Sequence, residues 1–169
     1  LGHSKMVVGC DVNASVSSAS SMRDYEVIPY RQMTAGIKPY FKGSIMKWLS
    51  ANYEASYGFS KLRIDDESND YHTFRQNIFT TIIPSDIVQF TIGAEHFLTR
   101  FPEGNTANLV LLDASAVWRL NNRVRLSLTA NNLLNRRSYE YVNYGTLSRS
   151  EYHFGIRRRS ILASIQYRF

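Results

Sequence analysis

Apolar and polar side chains alternate one by one in segment after segment of this chain, and no apolar run approaches the roughly 20 residues that a membrane-spanning helix needs. Strict alternation is the signature of a strand with one greasy face and one wet face. It is cleanest where Leu49, Ala51, Tyr53, Ala55, Tyr57 and Phe59 oppose Ser50, Asn52, Glu54, Ser56, Gly58 and Ser60. Eleven Tyr and nine Phe, set among many Ser, Thr and Asn, suit the pleated surface of a sheet.

The same pattern recurs along the chain. Met6 to Val16 alternate with polar or small residues, and the polar stretch from Ser18 to Glu26 is expected to be a connection. A second strand is expected over residues 27–41, with Met33, Ala35, Ile37 and Phe41 as its apolar set and Pro29 and Pro39 as weak points, because proline gives nothing to a ladder. Lys42-Gly43-Ser44 reads as the tight turn into the third strand, Ile45 to about Leu62. The fourth carries Phe74, Ile78, Thr80 and Ile82, and Pro84-Ser85-Asp86 turns it into a fifth with Val88, Phe90, Ile92, Ala94 and Leu98. A sixth sets Val110, Leu112, Ala114, Ala116, Trp118 and Leu120 on one face. Asn121-Asn122 then turns the chain into a seventh, with Val124, Leu126, Leu128 and Ala130. A long tyrosine-rich connection, Arg136 to His153, leads to the last strand, where Ile161, Ala163, Ile165, Tyr167 and Phe169 oppose Ser160, Ser164, Gln166 and Arg168.

The fold expected is therefore all-β, an antiparallel barrel of outer-membrane type with about eight strands present. Longer connections around residues 18–26, 65–70, 99–107 and 136–153 alternate with tight turns, the asymmetry of a barrel with long outer loops and short periplasmic turns. Glu54, Arg75, Glu95, Asp113, Arg119, Arg123 and Arg125 fall on the polar faces and are the candidate lumen-facing charges.

The chemistry of enzymes is not legible. No nucleophile elbow, phosphate loop or catalytic carboxylate pair stands out, so no enzyme activity and no cofactor are expected. His3, His72, His96 and His153 lack metal-ligand spacing, and Asp65-Asp66-Glu67 with Asp70 lacks the ordered oxygens and glycine of a calcium loop. Cys10, the single cysteine, reads as an apolar filler. The net charge of +6 is spread along the chain, which argues against a nucleic-acid partner. Arg157-Arg158-Arg159 reads as a charged rim, with lipid phosphate as the alternative. Leu1 is not an initiator Met, and no charged and apolar leader follows it, so a removed signal or a longer parent chain is expected.

The run Leu128-Thr129-Ala130-Asn131-Asn132-Leu133-Leu134-Asn135, with Tyr139, Arg157 to Ser160 and the terminal Tyr167-Arg168-Phe169, resembles the closing segment of TonB-dependent receptors. It is most similar to the outer-membrane β-barrel family of Bacteroidota. Leu111-Leu112-Asp113-Ala114-Ser115 ahead of Trp118-Arg119 resembles that family too. The likeness covers about residues 107–169 and before that is one of pattern. It implies that Ile165, Tyr167 and Phe169 form the signal read by the barrel-assembly machinery, although Leu162 and Ser164 stand where the family favours a polar residue and Gly.

Receptors of this kind have about 22 strands around a plug, which eight strands cannot enclose. The resemblance thus implies that residues 1–169 are the C-terminal part of a larger barrel in the bacterial outer membrane, without the plug domain. The whole would import a siderophore, cobalamin or glycan, with plug and TonB contacts made by the rest of the receptor. Tyr139, Tyr141, Tyr144 and Tyr152 in the outer connection are then the candidate ligand contacts, since their rings can stack on sugar or chelate. Two other readings stand beside it: a complete eight-stranded outer-membrane barrel with a structural or adhesive role, and a soluble lipocalin-like barrel with its faces inverted.

Overall fold

The computed structural model describes residues 6–64, 67–102, 104–144 and 149–169, and the side chains of Arg23 and of residues 141–149 lie outside the described set. The strands are β1 (Met6–Arg23), β2 (Glu26–Met46), β3 (Leu49–Ile64), β4 (Glu67–Ser85), β5 (Val88–Arg100), β6 (Thr106–Arg119), β7 (Val124–Asn131), β8 (Ser138–Tyr144), β9 (Arg149–Gly155) and β10 (Ser160–Tyr167). Eight of them form one antiparallel sheet in the order β1-β2-β3-β4-β5-β6-β7-β10, and β8 pairs only with β9. The all-β, antiparallel architecture expected from the alternation is what the chain adopts. The sheet is open: β1 and β10 are its two edges and do not pair with each other.

Register fixes which side chains share a face, because directly opposed residues point the same way. Val12, Ile37, Tyr57, Phe74 and Leu98 are opposed in succession from β1 to β5, and Ile78, Ala94, Leu112 and Tyr53 form a parallel row. The apolar sets of all eight strands therefore merge into one continuous face. The polar sets merge on the other.

Among the described residues the sheet is a single layer, with no second sheet or helix packed on either face. Among the described residues no side chain is fully buried, and the buried apolar residues are Ala55, Leu62, Phe101 and Leu109. The chain exposes 12480 Å², where a compact water-soluble chain of this mass would expose about 8,500 Å². Val8 is 75% and Ile165 76% exposed, as core residues of a soluble domain are not.

Several connections differ from expectation, each for a local reason. Ser18 to Arg23 belong to β1, not to a loop, and its turn into β2 is the pair Asp24-Tyr25, with φ of 52° and 68°. That left-handed pair matches the twist of a two-residue hairpin. The β2–β3 turn is Lys47-Trp48, not Lys42-Gly43-Ser44, because β2 runs on to Met46 through a register shift between Ser44 and Met46. Pro29 and Pro39 are tolerated inside β2: both are opposed to β1, while pairing with β3 is interrupted at Lys38 and Pro39. The turn after β4 is Asp86-Ile87, starting two residues beyond the expected start at Pro84, with a register shift to β5 between Ile82 and Ser85 and Ile83 N–H donating to Trp48 O at 2.7 Å. Arg136 to His153 is not a loop but contains the β8–β9 hairpin. Asp65 and Asp66 lie outside the described residues, as does His3.

Candidate functional site

The polar face is the surface on which chemistry-bearing side chains collect. Glu54, Arg75, Glu95, Asp113, Arg119 and Arg125 all share it: Glu54, Asn77 and Glu95 form one row, Ser56, Arg75 and Phe97 the next, and Asp113 and Arg119 are opposed to Gly93 and Arg125. They are not one cluster. Lys38 Nζ meets Glu54 Oε1 at 3.2 Å, and the Arg75 guanidinium lies 4.8 Å from the centre of the Phe97 ring. Asn77, Gly93, Glu95, Asp113, Ser115 and Thr129 stand among apolar residues in the lining of a hollow of about 410 Å³, and the buried Asn77 Oδ1 has no hydrogen-bond partner among the described residues. On β1 and β2 the Tyr40 ring covers Gly9, opposite it, where a side chain would collide.

Asp113 also has a structural task. Its Oδ1 accepts from the N–H of Asn132 at 2.7 Å. Asn132, buried and at φ 51°, uses its amide to hold Arg136 O (2.7 Å), Arg157 O (2.8 Å) and Arg136 N–H (2.9 Å). Asn135, also left-handed at φ 52°, accepts from the N–H of Arg159. The Asn132-Leu133-Leu134-Asn135 motif is thus the knot that ends β7, carries the β8–β9 hairpin and delivers the chain to β10. Arg157, Arg158 and Arg159 are exposed just after that hairpin.

Tyr139 and Tyr152 lie on the hairpin, on β8 and β9, and Tyr152 stacks on Phe154 with ring centres 6.0 Å apart. The side chains of Tyr141 and Tyr144 lie outside the described residues. The register opposes Tyr141 to Tyr152 and Tyr139 to Phe154. Ile165, Tyr167 and Phe169 are exposed on or just beyond β10, and the Tyr167 and Phe169 rings meet edge to face at 5.1 Å.

The apolar face has its own order. From Leu49 to Tyr57, and over the paired residues of β1, β2 and β4 to β6, it carries no Asp, Glu, Lys or Arg. Trp48, Phe90, Trp118 and Tyr167 mark the Asn121 end of this band, and Tyr57, Phe59 and Phe74 the other. Between that second border and mid-band runs a polar chain that alternation alone did not reveal. Tyr53 O–H donates to Gln76 Oε1 (3.2 Å), Gln76 Nε2 meets His96 Nδ1 (3.0 Å), and His96 Nε2 meets Asn108 Oδ1 (3.0 Å). Beside it, Tyr57 Oη lies 2.7 Å from His72 Nδ1. The signal was present in the sequence as polar residues at apolar-face positions, but only register shows that they are neighbours. Among the described residues no group of three or more His, Cys, Asp or Glu is placed to hold a metal ion.

The sequence matches no protein-family model and no curated protein. Among solved structures the chain is similar to in-vitro folded OmpT, an outer membrane protein of Vibrio cholerae, with a TM-score of 0.47 and 10% identity over 96% of this chain and 51% of that one. Against the outer-membrane expressed OmpT of the same organism the TM-score is 0.46, at 10% identity and the same coverage. The chain spans about half the length of these structures.

Proposed function

We propose that this chain is the C-terminal barrel segment of a TonB-dependent outer-membrane receptor, with its apolar face in lipid and its polar face lining the lumen. The observation that carries the membrane part is the charge-free apolar face. Its depth is about ten residues per strand, which at about 3.3 Å per residue and a tilt near 40° rises about 25 Å, the height of the lipid-facing band of such barrels. The first charges beyond the band on that face are Arg31, Lys61, Asp70 and Arg100, where a headgroup layer would begin. Aromatic rings at both borders and a polar chain whose members bond to one another suit the same setting.

The open edges favour part of a larger wall over a ring of eight. β1 offers 18 residues and β10 only 8, so closing these two on each other leaves most of β1 without a partner. Further strands on both edges would satisfy them. The assignment to TonB-dependent receptors rests on the resemblance of residues 107–169. In this reading the whole receptor takes up a siderophore, cobalamin or glycan, and the exposed Ile165, Tyr167 and Phe169 serve assembly. Intact mass spectrometry of the native product in the outer-membrane fraction tests it. A mass several times 19.4 kDa is expected, and a mass near that value would contradict it.

A further inference from the structure

A concavity of about 860 Å³ opens on the polar face at the Asn121 end, and four arginines stand in its lining. Arg119 on β6 is directly opposed to Arg125 on β7. Arg168, just past β10, donates its N–H to Arg123 O at 2.8 Å, which continues the register of Gln166 with Arg125 and opposes Arg168 to Arg123. Four guanidinium side chains from three adjacent chain segments thus share one face in two like-charged cross-strand pairs.

Like charges directly opposed across a sheet repel, and an anion lying among these exposed groups relieves that repulsion. Elsewhere on this face the protein supplies partners, Glu54 for Lys38 and the Phe97 ring for Arg75. Here, among the described residues, no ion pair joins any of the four arginines to a carboxylate, and Asp86 is the one acidic residue in the lining. Asn121 does not serve them either, since its Oδ1 accepts from the backbone N–H groups of Arg123 and Val124.

We propose that Arg119, Arg123, Arg125 and Arg168 form a binding site for a small polyanion bearing two or more phosphate or carboxylate groups. Strands lie about 4.8 Å apart, so the patch is on the order of 10 Å across, wider than one oxyanion and suited to two or three joined together. Guanidinium forks match the paired oxygens of either group. The concavity is of the size that holds a small ligand. The proposal needs only the register of β6, β7 and β10 and does not depend on the receptor reading.

The test is calorimetric titration of the full protein in detergent micelles with sodium tripolyphosphate, sodium citrate and a tetra-aspartate peptide, at fixed chloride. One-site binding of tripolyphosphate or citrate is expected, the stronger of the two naming the oxyanion. The double substitution Arg119→Gln/Arg125→Gln should weaken it about tenfold or more. Arg125→Lys, which keeps the charge but loses the fork, should weaken it less, and Arg157→Gln/Arg158→Gln should leave it unchanged. Three results would each overturn the proposal: binding of neither small anion, binding of the peptide alone, or an affinity untouched by the Arg119/Arg125 substitution.

Discussion

The two faces of the sheet are built on the same strands, residue by residue, yet they solve opposite problems. On the apolar face, polar groups are few and are tied to each other, as in the row Tyr53–Gln76–His96–Asn108. On the polar face, charges are many and are paired locally or left to a concavity, as with Lys38–Glu54 and the arginines around Asn121. The difference teaches that alternation does more here than define strands. With no second layer to bury either face, each must match a surrounding medium, and only a nonpolar medium suits a band of Val8, Ile37, Ile78 and Ile165 that stays exposed.

The largest break in this contrast should come from a charge placed at mid-band. Ile78→Lys is expected to cost about 2–4 kcal/mol in equilibrium unfolding from lipid vesicles, while Thr91→Lys on the polar face should change stability by less than about 0.5 kcal/mol. Next comes the knot that joins the sheet to its hairpin. Asn132→Ala should cost about 2 kcal/mol through its lost bonds and left-handed backbone, and limited proteolysis should cut between residues 136 and 159 sooner than in the native chain.

The polar row within the apolar face gives a sharper comparison. His96→Leu strands Gln76 and Asn108 and should cost about 1–2 kcal/mol, whereas Gln76→Leu/His96→Leu should recover at least half of that loss. If the double substitution were instead as costly as the sum of its parts, the row would not be a unit. The smallest effect belongs to the Lys38–Glu54 pair, whose side chains are about half exposed. Lys38→Gln should cost less than about 0.5 kcal/mol, and less again in high salt.

The sequence was most legible where strands cross the proposed lipid band. Leu49 to Phe59, Val88 to Leu98 and Val124 to Ala130 alternate because one face of each must be apolar. Legibility failed where strands leave that band. Ser18 to Ser21 and Glu67 to Tyr71 pair as well as any segment, but their faces are largely polar and alternation has little to show. The same holds for the β8–β9 hairpin, whose tyrosines and glutamates read as a loop. Gly43 misled in the opposite way, as a turn residue inside a strand that bends three positions later. Of the candidate site, the side on which Glu54, Arg75, Glu95, Asp113, Arg119 and Arg125 stand could be read from parity. The opposition of Arg119 to Arg125, and of Arg123 to Arg168, could not, because it depends on register between separate strands.

Cys10 offers the most direct test of which medium each face meets. It is exposed on the apolar face of β1, opposed to Pro39, while Asn52 is exposed on the polar face of β3. Isolated outer membranes carrying the native protein, or a Cys10→Ser/Asn52→Cys variant, would be treated with a charged, membrane-impermeant maleimide before and after detergent. The account predicts that Cys10 stays unmodified until detergent is added and that the cysteine at position 52 reacts in the intact membrane. Rapid modification of Cys10 in the membrane, with protection at position 52, would mean that the apolar face does not meet lipid.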